Sequence, residues 1–326
     1  MTNDVKNFSL WCDFIERDFL KKDFKSLIPK ILGATSNPSI FANSILNSPA
    51  YKAQISSMKG NNPKSIYEAL AIEDVKMAAS ILFPLWQENK DNGYISIEID
   101  PLLGENAGES IDEGKRLFKS IQAPNVMIKV PATEAGYEVM YELHKNNIPV
   151  NATLIFSPIQ AKNCADAFKN ARKNTPSNQS RSVISVFVSR FDRAVEEHLK
   201  NTPELQTKLG IYNAIECYNL IEEYDDPLIR TLFASTGVKG DKLPKNYYID
   251  MLYLPHCVNT APLDSIKAYL DNKESITQIP LDKESVKKGI QAIINAGVDI
   301  QNLYKTLLKE GLEAFEKSFE DLLRSI

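Results

Sequence analysis

The chain has 326 residues, 43% of them hydrophobic, and a formal net charge of -4. That length suits one large α/β barrel or two ordinary domains, with apolar content enough for a sizeable core. Without a long basic stretch the charge argues against nucleic-acid binding, which needs a concentrated cationic surface.

The first residues, Met1 to Lys6, lack the basic-then-apolar pattern of a leader. The compact apolar run at residues 81–86 is too short to span a bilayer and contains Pro84. Cys12, Cys164, Cys217 and Cys257 are far apart, which favours neither a disulfide framework nor a metal pair and makes a cytoplasmic location the expectation. His144, His198 and His256 show no metal-ligand spacing.

Short β-rich runs fall at residues 9–13, 31–35, 94–99, 126–130, 150–156, 183–188, 230–235 and 248–254. Amphipathic stretches such as 108–120, 134–146 and 158–174 lie between them. Strand then helix, repeated along this length, predicts a parallel (β/α)8 TIM barrel. A doubly wound open sheet is the competitor, although no G-x-G-x-x-G follows any strand. Residues 37–92 are long for one crossover and, broken by Pro49, Gly60 and Pro63, should hold more than one helix. From Lys283 onward, Leu303, Leu307, Leu308, Leu312, Phe315 and Phe319 recur at helical spacing and predict a terminal helix packed on the barrel. No repeat, linker or second boundary stands out, so residues 1–326 are expected to form a single domain.

Lys129 sits in Asn125-Val126-Met127-Ile128-Lys129-Val130-Pro131, a run that otherwise reads as a buried strand. Desolvating an ammonium is expensive. Burial favours a neutral amine, and a neutral amine attacks carbonyl carbon. The residue therefore suggests Schiff-base chemistry, against the alternative of a lysine that snorkels to water. Strand alternation supports the first reading. Val126, Ile128 and Val130 share one face and leave Lys129 on the other; Ile95, Ile97 and Ile99 leave Ser96 and Glu98; Ala152, Leu154 and Phe156 leave Asn151 and Thr153; Ile184, Val186 and Val188 leave Ser185 and Phe187. With Asp13 at the end of the first run, these inward polar groups make a poor stability design unless they form a site.

Several separated segments then resemble one family, the transaldolases. They are Gly33-Ala34-Thr35-Ser36-Asn37-Pro38-Ser39-Ile40-Phe41, Ile128-Lys129-Val130-Pro131-Ala132-Thr133, Asn151-Ala152-Thr153-Leu154-Ile155-Phe156-Ser157, Ser185-Val186-Phe187-Val188-Ser189-Arg190 and Phe233-Ala234-Ser235-Thr236-Gly237-Val238-Lys239. The last is similar to the version found in one branch of the family. The resemblance implies transfer of a dihydroxyacetone unit from sedoheptulose 7-phosphate to glyceraldehyde 3-phosphate in the pentose phosphate pathway, giving erythrose 4-phosphate and fructose 6-phosphate. It implies no metal and no organic cofactor. It also implies roles. Lys129 forms the imine, Asp13 is the acid/base at the breaking bond, and Glu98 works through a water with Thr153. Asn37, Asn151, Ser185 and Phe187 contact substrate, while Arg190 and Ser235 bind phosphate. Better-known members carry a second arginine two residues after the matching serine. Here Gly237 stands there, and Lys239 is the candidate replacement.

Two rivals stay open on the residues alone. One is a Schiff-base aldolase that releases dihydroxyacetone from fructose 6-phosphate; the other is a non-catalytic sugar-phosphate-binding barrel. Sugar phosphates are the expected partners, with neither nucleic acid nor membrane. The sequence leaves the oligomeric state open, a homo-oligomer included.

Overall fold

The computed structural model describes residues 6–271 and 278–326. Residues 1–5, on which the expectation of no leader largely rests, lie outside that range. Parallel strands close into a barrel in sequence order: β1 (Ser9–Cys12), β2 (Gly33–Ala34), β3 (Tyr94–Glu98), β4 (Val126–Pro131), β5 (Val150–Ile155), β6 (Ser182–Phe187), β7 (Ile229–Ala234) and β8 (Cys257–Ala261). Closure comes from β1 against β8, with Ser9 beside Val258 and Cys12 beside Ala261. This is the expected (β/α)8 barrel.

The helices in chain order are α1 (Arg17–Lys22), α2 (Pro38–Asn47), α3 (Lys52–Ser57), α4 (Pro63–Glu88), α5 (Ala107–Ile121), α6 (Glu134–Lys145), α7 (Pro158–Asn174), α8 (Ser189–Val195), α9 (Leu209–Glu222), α10 (Tyr247–Met251), α11 (Leu263–Asp271), α12 (Lys283–Asn295) and α13 (Ile300–Ser325). Their starts follow local chemistry. Asn37 caps α2 and Asn62 caps α4, each followed by a proline whose missing N–H is harmless in the first turn. Ser157 and Gln160 form a reciprocal capping box at α7. As expected, the stretch after β2 holds several helices and the tail is helical. Among the described residues no helix is long and apolar enough to cross a membrane.

The expected eighth strand, residues 248–254, is not a strand. Residues 247–251 form α10, and β8 lies further on at Cys257–Ala261. The β-rich composition of Tyr247, Tyr248 and Ile249 is overridden by packing. Tyr248 donates its hydroxyl to Asp192 at 2.8 Å, the tyrosine rings pack edge to face, and Asn246 Nδ2 reaches Asp250 Oδ2 one helical turn on at 2.6 Å.

The barrel interior is filled, not hollow. Trp11 points inward from β1 against Gly33 of β2; any Cβ there would stand 2.6 Å from the indole, so the close approach requires glycine. Above that layer the inward side chains become polar. Asn151 Nδ2 donates to Ser96 Oγ at 2.9 Å, and Ser185 Oγ donates to Asn151 Oδ1 at 2.6 Å. This buried ladder links β3, β5 and β6 and forms the bed on which the upper residues stand. Helix α13 packs over α2, α4, α8 and β5 and so reaches the C-terminal ends of the strands.

Candidate active site

The strand ends surround a cavity of about 500 Å3, its open mouth included. Asp13, Thr35, Asn37, Lys129, Thr153, Ser185, Phe187, Arg190, Ser235, Thr260 and Phe315 line it. Most of the residues singled out by sequence therefore meet in one place, at the end of the barrel where such folds build sites. Asn151 lies below, with both ends of its amide engaged by Ser96 and Ser185. Lys239 lines a neighbouring cavity of about 590 Å3 together with Ser189, Arg193 and Lys242. Ser189 Oγ and Ser235 Oγ, 3.0 Å apart, join the walls of the two cavities.

Lys129 comes from the middle of β4 and is 5% exposed. Its Nζ donates to the Ser36 carbonyl at 3.1 Å, and Glu98 Oε2 lies 3.5 Å away, at the far edge of hydrogen-bond reach. Strand register sets this pair, because Glu98 of β3 stands beside Lys129 of β4. Burial pushes the Glu98 carboxyl up to about 7, with Lys129 pulling the other way. An acid that titrates near neutrality can both take a proton and return it. Among the described residues, Glu98 Oε2 and Thr153 Oγ1 are buried side-chain oxygens without a hydrogen-bond partner. Unfilled polar atoms of this kind suit a group that arrives during reaction.

Asp13 follows β1 and is partly open to the cavity. Burial raises its carboxyl above the usual range, opposed by Lys129 and by the Thr35 hydroxyl. Thr35 Oγ1 donates to Asp13 Oδ1 at 2.6 Å and lies 2.7 Å from Thr260 Oγ1. A threonine has one hydroxyl proton, so Thr260 must donate to Thr35 while Thr35 donates to Asp13. The relay fixes Asp13 as an acceptor facing the cavity.

Thr153 owes its place to a bulge. The β5–β6 register shifts between Ala152 and Ile155, and Leu154 adopts φ of 58°. A branched side chain rarely takes that left-handed conformation. Gln160 holds it: Nε2 donates to the carbonyls of Ala132 at 2.9 Å and Leu154 at 3.2 Å, while Oε1 accepts from the Phe156 and Ser157 amides. Beyond Thr153 the simple alternation read from sequence no longer applies.

Asn37 spends Oδ1 on the Ile40 amide as the cap of α2 and also lines the cavity wall. Arg190 lies over the Phe187 ring at 5.1 Å, and burial together with Arg193 lowers its pKa. Among the described residues its guanidinium makes no hydrogen bond or ion pair, which leaves the fork open to an anion at the cavity wall. Sequence reasoning missed Thr260, Phe315 and Gln160 as site residues. Thr260 lay in the misplaced β8, Phe315 read as packing, and Gln160 carried a visible signal in its capping box with Ser157.

A closed parallel barrel whose mouth holds a buried lysine, a neutral-range glutamate and an aspartate has the equipment of barrel enzymes that bind carbonyl substrates as a lysine imine. Comparison with known proteins narrows this. The family described as Transaldolase/Fructose-6-phosphate aldolase matches residues 10–326, and the chain belongs to that family. A protein named Transaldolase from Helicobacter pylori (strain Shi470) is 50% identical over 326 residues, covering 98% of this chain and 100% of the relative. One of the same name from Campylobacter jejuni subsp. jejuni serotype O:23/36 (strain 81-176) is 48% identical over 333 residues, covering 99% and 100%.

Proposed function

We propose that the chain is a transaldolase, acting as a single catalytic domain. The observation that carries the reading is Lys129 at the cavity wall, 3.5 Å from Glu98 and sharing that cavity with Asp13, in a chain alike over its whole length to proteins named Transaldolase. Lys129 Nζ adds to the carbonyl carbon of a ketose phosphate. Glu98 and Thr153, through a water between their unpartnered oxygens, carry the protons of carbinolamine dehydration. The resulting iminium is the electron sink. Asp13 takes the proton of the neighbouring hydroxyl as the C–C bond breaks, an aldose phosphate leaves, and an enamine remains on Lys129. An incoming aldehyde reverses the steps. Ser185 and Asn37 orient hydroxyls, Phe187 gives the apolar wall, and Asn151 holds the bed beneath. Arg190 and Ser235 take the phosphate, with Lys239 as an outlying cation.

The finer reading is the pentose phosphate reaction, from sedoheptulose 7-phosphate to glyceraldehyde 3-phosphate, in the cytoplasm. The family description also names fructose-6-phosphate aldolase, which keeps free dihydroxyacetone release as the second reading. Fructose 6-phosphate turnover with and without erythrose 4-phosphate separates them. Transfer is expected to yield glyceraldehyde 3-phosphate and sedoheptulose 7-phosphate only when the acceptor is present. Acceptor-independent release of dihydroxyacetone at the same rate would establish the aldolase instead.

A further inference from the structure

Helix α13 brings an apolar ring over the lysine. Phe315 lines the cavity that holds Lys129, is 5% exposed, and has its ring centroid 5.6 Å from Nζ. The helix is pinned on either side of this point. One turn before, a Cβ on Gly311 would stand 3.0 Å from Leu154 Cδ2 and 3.2 Å from Arg190 Nη1, so glycine lets the helix lie close against the mouth. One turn after, Phe319 packs edge to face on Tyr67 at 5.0 Å, and Ser318 Oγ lies 2.8 Å from Ser39 Oγ. Phe315 can neither donate nor accept a proton. What it brings to Lys129 is exclusion of water and, toward a cationic imine, the attraction of a ring face.

The enamine on Lys129 has two fates. Transfer forms a bond from its nucleophilic carbon to the acceptor carbonyl carbon, and the aldehyde oxygen receives the proton held by Asp13. Release requires a proton on that same carbon, then water adding to the imine carbon and departure of the lysine amine, giving free dihydroxyacetone. Transfer also ends with water adding to the product imine carbon and departure of the lysine amine, so the two routes part at protonation of the enamine carbon. We propose that Phe315 is a specificity-determining residue: by capping the Lys129 enamine it keeps out a water that would relay the Asp13 proton to the nucleophilic carbon, and so commits the three-carbon unit to an aldehyde acceptor. The inference rests on the transaldolase reading above.

The test measures, on the full-length chain with fructose 6-phosphate, the ratio of free dihydroxyacetone released to product formed with erythrose 4-phosphate. Borohydride trapping at Lys129 runs in parallel. Phe315→Ala should raise the ratio about tenfold or more by opening the enamine carbon to a proton-relaying water. Phe315→Leu, which keeps an apolar anchor on the helix should the alanine variant fail to fold, should raise it about threefold. A purely structural role lowers both rates together and leaves the ratio where it was. An unchanged ratio in a folded variant that still traps at Lys129 overturns the inference. Absence of trapping in the unaltered protein overturns the transaldolase reading, and the inference falls with it.

Discussion

The floor and the mouth of this barrel each bury a cation, and they treat it in opposite ways. At the floor Arg230, on β7, donates to the carbonyls of Asp91 at 2.9 Å, Asn7 at 2.6 Å and Cys257 at 2.7 Å, and to Ser9 Oγ at 2.8 Å. At the mouth Lys129 has one carbonyl at 3.1 Å and a carboxylate at 3.5 Å. The first charge is held by four acceptors on its two terminal nitrogens, with Nε left unpartnered among the described residues. The second is under-coordinated, beside buried oxygens that have no hydrogen-bond partner among the described residues. Burial alone therefore does not make a cation reactive; unmet hydrogen bonding beside an open cavity does.

Substitutions can break each half of this contrast. The largest effect is expected at Asp13. Asp13→Asn keeps the size and loses the base, so turnover should fall roughly 10²–10⁴-fold while the imine on Lys129 is still trapped. Near-normal turnover would place the base elsewhere. At the floor, Arg230→Leu orphans several buried acceptors and should lower stability by on the order of 3 kcal/mol. Denaturant unfolding reads this loss, and kcat of the folded fraction should hold. A large fall in kcat would show that floor and mouth are not independent.

Arg190→Ala should reduce kcat/KM for fructose 6-phosphate about 10–150-fold, the worth of a charge-assisted contact. The change should sit mainly in KM, with unphosphorylated fructose unaffected. Equal losses for both sugars would assign Arg190 to the fold or the chemistry. Lys239→Ala should act in the same direction and more weakly, since Lys239 lines the adjoining cavity.

The smallest effect is a pH dependence. Burial holds the Glu98 carboxyl at about 7, so it is protonated below that pH and ionised above it. A step that needs the carboxylate should speed up as pH rises through about 7 and level off above. Glu98→Gln should flatten that limb. Persistence of the limb in the variant would move the titrating group elsewhere.

Much of this was legible in the sequence because inward and outward residues alternate in β3, β4 and β6. Glu98, Lys129, Ser185 and Phe187 follow from that rule. In β5 it holds only as far as Thr153, since the left-handed Leu154 and the Gln160 clamp lie outside period-two reasoning. The eighth strand was misread because the β-formers Tyr247, Tyr248 and Ile249 are held in a helix by the Tyr248–Asp192 hydrogen bond and the Asn246–Asp250 contact, which local composition cannot register. Thr260, and with it the hydroxyl relay to Asp13, was lost with that strand. Phe315 was visible only as one member of an apolar stripe. Its neighbours Leu307 and Phe319 serve packing, and the sequence carries no mark that separates the one residue facing the cavity.

The central claim is that Lys129 forms the covalent intermediate. Fructose 6-phosphate with borohydride, followed by peptide mass mapping, tests it directly. A reduced three-carbon or six-carbon adduct on Lys129, absent together with activity in Lys129→Ala, is the expected result. An adduct on a different lysine, with activity surviving in Lys129→Ala, would contradict it.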